Sequence, residues 1–205
     1  MAGLVAFRRR TAVFAALSLA LVAPAAPAAS GNEDALTRIR FDELAPRPVN
    51  GLHFRGVTFQ FRVAGQPSRD AVFGGGGPGS IRFVQDPSLE GDARGVLTLR
   101  FAEETEVLRF GAALNCFECT LRPGFVVRLF DEDELVRVAR VTTRPFVSFT
   151  EARFAYAGEE IDRAVIRFNA RFADRFALDN LVFESAGSDD DASAPGAARV
   201  VRAWR

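Results

Sequence analysis

Apolar and polar residues alternate along the middle of the chain with a period of two. In Val57-Thr58-Phe59-Gln60-Phe61-Arg62-Val63 every second side chain is apolar, and Leu97-Thr98-Leu99-Arg100-Phe101 repeats the pattern. Ala164-Val165-Ile166-Arg167-Phe168 follows it with one apolar exception. Such alternation puts successive side chains on opposite faces of a sheet, one buried and one wet. Arginine suits the wet face, where its stem covers apolar surface and its head stays in water. Further strands are predicted at 39–41, 81–84, 107–110, 125–130, 135–141, 146–149, 152–156 and 176–183. Turn-forming clusters separate them at 66–68, 74–79, 86–88, 122–124, 131–134 and 158–160, and the acidic run 103–106 reads as a further turn. Many short strands with regular turn signals and no long helical pattern predict an all-β fold, a two-sheet antiparallel β-sandwich.

The two ends break this pattern. Arg8, Arg9 and Arg10 precede an apolar run from Thr11 to Val22, and the small-residue stretch Ala23-Pro24-Ala25-Ala26-Pro27-Ala28-Ala29 follows. Basic, apolar and small-residue regions in that order predict a cleavable signal peptide over 1–29, cut after Ala28 or Ala29. The apolar run falls short of the ~20 residues that span a bilayer. The mature chain is therefore expected to be extracytoplasmic, secreted or periplasmic, with no membrane span. Residues 30–37 read as a leader, 38–184 as the sandwich and the small, acidic stretch 185–205 as a disordered tail.

Composition changes the picture in two ways. Without the three leader arginines, 23 basic residues stand against 26 acidic ones, all 23 of them arginine. That balance argues against a nucleic-acid footprint, which needs clustered excess positive charge. The chain also holds 20 Phe but one Trp and one Tyr, so its aromatic area suits a core more than a sugar platform. Tyr156 is the one sandwich residue offering a broad ring with a polar end, and is the candidate ligand-binding aromatic.

Few residues carry reactive chemistry. Cys116 and Cys119, in an exported chain, predict a local disulfide. Zinc would need four ligands, and His53 is the only histidine. Strand and turn residues surround the cysteine pair, which disfavours a redox centre. The run 74–79 lacks the Lys-Ser/Thr ending of a phosphate loop and reads as a mobile surface loop able to rim a site. The acidic runs 103–106 and 131–134 supply carboxylates that a glycosidase uses in pairs, yet both fall where a solvated turn is expected. His53, in Leu52-His53-Phe54, reads as a strand-edge residue rather than a catalytic base.

Three segments carry a resemblance: Arg40-Phe41-Asp42-Glu43-Leu44, Gly51-Leu52-His53-Phe54-Arg55-Gly56-Val57-Thr58-Phe59 and Arg175-Phe176-Ala177-Leu178-Asp179-Asn180-Leu181-Val182-Phe183-Glu184. Together they resemble the ends of secreted bacterial jelly-roll domains found in PEP-CTERM-type exported proteins, over about residues 38–184. The C-terminal Pro-Glu-Pro sorting motif of that class is missing, so a released domain is expected. The resemblance implies a jelly roll like galactose-binding-like and carbohydrate-binding modules, with first and last strands side by side. That would gather Asp42, Glu43, Asp179 and Asn180, and similar modules hold a structural Ca²⁺ there, which needs oxygen ligands. The alternative is that Asp179-Asn180 accepts backbone hydrogen bonds at a strand irregularity. The function expected is a secreted, non-catalytic binding module, carbohydrate-directed and calcium-stabilised, with a glycan or extracellular matrix component as partner. A structural envelope protein without a small ligand and a hydrolase are the alternatives.

Overall fold

The computed structural model describes residues 36–184. The expected signal peptide, the tail and leader residues 30–35 lie outside the described residues. Leu36 and Thr37, expected as the end of the leader, instead open the first strand.

The strands are β1 (Leu36–Ile39), β2 (Arg47–Pro48), β3 (His53–Phe54), β4 (Val57–Val63), β5 (Gln66–Pro67), β6 (Val72–Gly75), β7 (Ser88–Asp92), β8 (Gly95–Leu114), β9 (Leu121–Asp131), β10 (Glu134–Phe146), β11 (Phe149–Phe168) and β12 (Arg175–Glu184). All their pairings are antiparallel. The first layer runs from β5 through β4, the first part of β8 and the last part of β11 to β9 and β10. The second layer joins the first part of β11 to the last part of β8 and then to β12. On its far edge β12 pairs with β7 and then β1, and β6 and β2 continue beyond β7. The fold is the expected all-β antiparallel sandwich, with β8 and β11 shared by both layers.

Phenylalanine fills the space between the layers. Phe61 of β4 lies 5.9 Å from Phe176 of β12 (ring centroids), and Phe125 of β9 lies 6.0 Å from Phe110 of β8. Phe168 stacks on Phe176 at 3.9 Å and 9° between planes. Each such ring removes a large apolar area from water, at about 25 cal/mol per Å².

The long strands correct the expected turns at 103–106 and 158–160. Glu103, Glu104, Glu106, Glu159 and Glu160 are exposed, but Thr105 and Ile161 are buried and pair with each other, with register shifts beside Ile161. Charges can therefore crowd a strand without ending it where the chain passes from one layer to the other. Thr105 reinforces the passage, its hydroxyl donating to the Val107 carbonyl at 2.9 Å and accepting the Glu184 N–H at 2.9 Å. Among the described residues no helix is long and apolar enough to cross a membrane.

Candidate functional site

Because Phe110 points between the layers, Arg109 and Gly111 of β8 face outward. The segment 81–84, predicted as a strand, is a loop laid across this outer face. Ile81 and Val84 bury themselves there against Ala113 and Ala177, with Phe149 beside them. Two buried carboxylates pin the loop. Glu151 accepts the Phe83 N–H at 2.8 Å and Asp179 accepts the Gln85 N–H at 3.0 Å, the side chains being 4% and 3% exposed. Gly111, which pairs with Arg153 on one side and Asp179 on the other, completes the seat. A Cβ at this position would run into the Phe83 carbonyl, so the close approach requires glycine.

Asp179 and Asn180 form an irregularity in β12. Three residue steps there oppose two on β8, and Asn180 takes a left-handed φ of 54°, the signature of a bulge. The Asn180 backbone N–H and side-chain amide donate to Asp179 at 2.5 and 2.8 Å. Burial pushes the Asp179 carboxyl up to about 6, against the lowering effect of the Asn180 and Gln85 N–H groups, and the charges of Asp42 and Glu43 add to the rise. A carboxyl raised in the folded state binds its proton more tightly there than in the unfolded chain. Its contribution to stability is thus full below about pH 4 and is lost as the pH rises through about 6. Thermal melts of the wild type and Asp179→Asn across this range are expected to shift in the wild type's favour as pH falls. A difference independent of pH would contradict the assignment.

Register then places the ligand-facing groups. Across the second layer, Arg38 of β1 pairs with Val182 of β12, Val182 with Arg109 of β8, and Arg109 with Ala155 of β11. The next row holds Asp179, Gly111 and Arg153. Arg38, Arg109 and Arg153 therefore share one face with Val182, Ala155, Gly111 and the buried Asp179, and Arg82 joins them from the loop. The four line a cleft of about 580 Å³ whose lining includes no acidic side chain. All four are exposed, and none belongs to an ion pair among the described residues. A second cleft of about 370 Å³, lined by Arg40, Asp42, Gln85, Asp86 and Asp179, shares Arg38 and Asn180 with the first. The two make one groove, cationic at one end and mixed polar at the other.

The structure thus brings Asp42, Asp179 and Asn180 to one cleft, while Glu43 turns to Arg55. Its Oε1 accepts the Arg40 N–H at 3.0 Å and the Arg55 guanidinium at 3.1 Å, leaving Oε2 buried without a partner. Both Asp179 oxygens are committed to N–H donors. Asp42 and one oxygen of Glu43 fall short of the about six to eight oxygens of a calcium shell. Among the described residues no three or more His, Cys, Asp or Glu side chains gather as a metal-holding set. These residues do not fit the expected calcium. Adding EDTA to protein prepared with calcium is expected to leave the melting temperature unchanged, and a clear drop would contradict this.

Tyr156, the expected ligand-binding ring, offers no open face. It is 5% exposed, its hydroxyl donates to the Glu159 carbonyl at 2.7 Å, and Arg137 lies 5.9 Å from the ring centre. Alternation along β11 turns it inward with Phe154. His53 pairs with Thr58 on the neighbouring strand, its Nδ1 3.0 Å from the Thr58 hydroxyl. Cys116 and Cys119 form a disulfide with Cα atoms 5.7 Å apart, in the connection between β8 and β9. The glycine run begins as strand β6 and then closes around Glu90, whose carboxylate a Cβ at Gly75 or Gly77 would strike.

Glu151, Gly111 and the four arginines were not singled out from the sequence. The signal for the arginines was their place in alternating strands, which shows the side a residue faces but not which strands adjoin.

No protein-family model matches this sequence, and no curated protein matches it. Among solved structures, one described as a family 29 carbohydrate binding module overlaps at a TM-score of 0.38 and 13% identity, covering 72% of this chain and 88% of that chain. A point mutant of the CBM29-2 module overlaps at 0.38 and 16% identity, covering 78% of this chain and 98% of that chain.

Proposed function

We propose that this chain is an extracytoplasmic, non-catalytic binding module that holds a glycan in the groove over the outer face of its second layer. The observation that carries this reading is the pinned loop. Glu151, Asp179 and Gly111 fix residues 81–85 so that the wall of the groove stands formed before any ligand arrives. A preformed wall lowers the ordering cost of binding. The polar end offers what a sugar's hydroxyl groups need, with Asp42 and Asp86 as acceptors and Gln85, Arg40 and Asn180 as donors. The Asp179 carboxylate, held by three N–H groups, serves the wall and not a reaction.

A glycan array on the full chain tests the reading. Binding to a subset of glycans is expected, and a Gln85→Ala/Arg40→Ala double variant is expected to lose most of that signal. Silence across the array, or equal binding by the double variant, would contradict it.

A further inference from the structure

The cationic end of the groove has no counterpart in what a neutral sugar requires. Arg38, Arg82, Arg109 and Arg153 converge from three strands and a loop on a cleft that, among the described residues, no carboxylate lines. The chain as a whole balances its charge, with 26 basic and 26 acidic residues. Four other arginines are neutralised locally, in Arg55–Glu43, Arg94–Asp92, Arg163–Asp133 and Arg175–Asp70, so what sets the cleft apart is that four arginines line it together. Like charges gathered on one face repel each other unless an anion lies among them. The planar guanidinium presents paired donors matched to carboxylate and sulfate oxygens. Val182 and Ala155, the neighbours of Arg109 across the layer, carry short side chains, so an anionic group can approach the arginines over them.

The neighbouring polar end narrows the ligand class. A bare inorganic anion would fill the arginine end and leave Asp42, Gln85 and Asp86 unmatched. A neutral glycan would match those and leave the arginines unmatched. We infer that the groove selects an acidic glycan, its carboxylate-bearing sugar among Arg38, Arg82, Arg109 and Arg153 and a neighbouring sugar's hydroxyl groups against Asp42, Gln85 and Asp86. This rests on the glycan-binding reading above and specifies its charge.

Titration calorimetry with the full chain tests the inference, using a short oligogalacturonate and its methyl ester, which keep one backbone and differ in charge. The acid is expected to bind at least about tenfold more tightly than the ester, the size of one lost charge-assisted hydrogen bond. Arg109→Gln/Arg153→Gln is expected to erase that difference, whereas Arg62→Gln on the opposite layer leaves it intact. Equal affinity for acid and ester, unchanged by the arginine variants, would overturn the acidic selectivity while leaving glycan binding standing. Binding of neither would overturn both. Displacement of the acid by inorganic phosphate or sulfate at equal concentration would overturn the glycan assignment in favour of a simple anion site.

Discussion

Replacing Gly111 with alanine is expected to unseat the loop over the second layer and destabilise the domain by about 2–6 kcal/mol. The added methyl would strike the Phe83 carbonyl, which is backbone and cannot swing aside as a flexible side chain would. Overpacking of this kind costs about 1–3 kcal/mol. Moving Phe83 also breaks the N–H bonds to Glu151 and Asp179, and a buried group left without its partner adds about 1–3 kcal/mol. The core between the layers does not touch this contact, so the variant is expected to keep its strand signal in circular dichroism. Hydrogen exchange at residues 81–86 is expected to accelerate selectively. Slow exchange there, with wild-type stability, would show that the seat is not as tight as described.

Phe176→Ala is expected to cost about 3–5 kcal/mol, the range for deleting a buried aromatic ring. Phe176 stacks on Phe168 and meets Phe61, so its loss opens the seam between the layers. Its ring also fills the space left by Gly91 on the neighbouring strand. Phe176→Leu would retain part of this packing and is expected to fall between wild type and alanine in chemical denaturation. An alanine variant within 1 kcal/mol of wild type, below that range, would contradict the placement of this ring at the centre of the core.

These two positions differ in how well the sequence announces them. Phe176 lies in the strand predicted over 176–183, a largely apolar stretch buried on both faces, so its burial is legible from the sequence although its direction is not. Gly111 gives no such sign, because what requires glycine there is a carbonyl that arrives from a distant part of the chain. Glu151 and Asp179 reach backbone N–H groups 68 and 94 residues away. No local spacing encodes such contacts. The Asp179-Asn180 pair was recognisable as a place of interest, and the bulge lies there. At Asp179, N–H donors already hold both oxygens that the calcium reading would use. Tyr156 misled for a simpler reason: rarity singled it out, while its phase in the alternation turns it inward. The acidic run 103–106 shows the opposite error, since it looks like a turn by composition yet lies within strand β8, with its glutamates exposed and Thr105 buried.

The placement of the ligand over the pinned loop is tested most directly by amide chemical-shift mapping during titration with an oligogalacturonate. The predicted result is a set of perturbations confined to Arg38–Asp42, Arg82–Asp86, Arg109–Gly111, Arg153 and Asn180, saturating together. Perturbations centred on the first layer, around Arg62 or Arg128, would contradict the site, whatever the affinity measured.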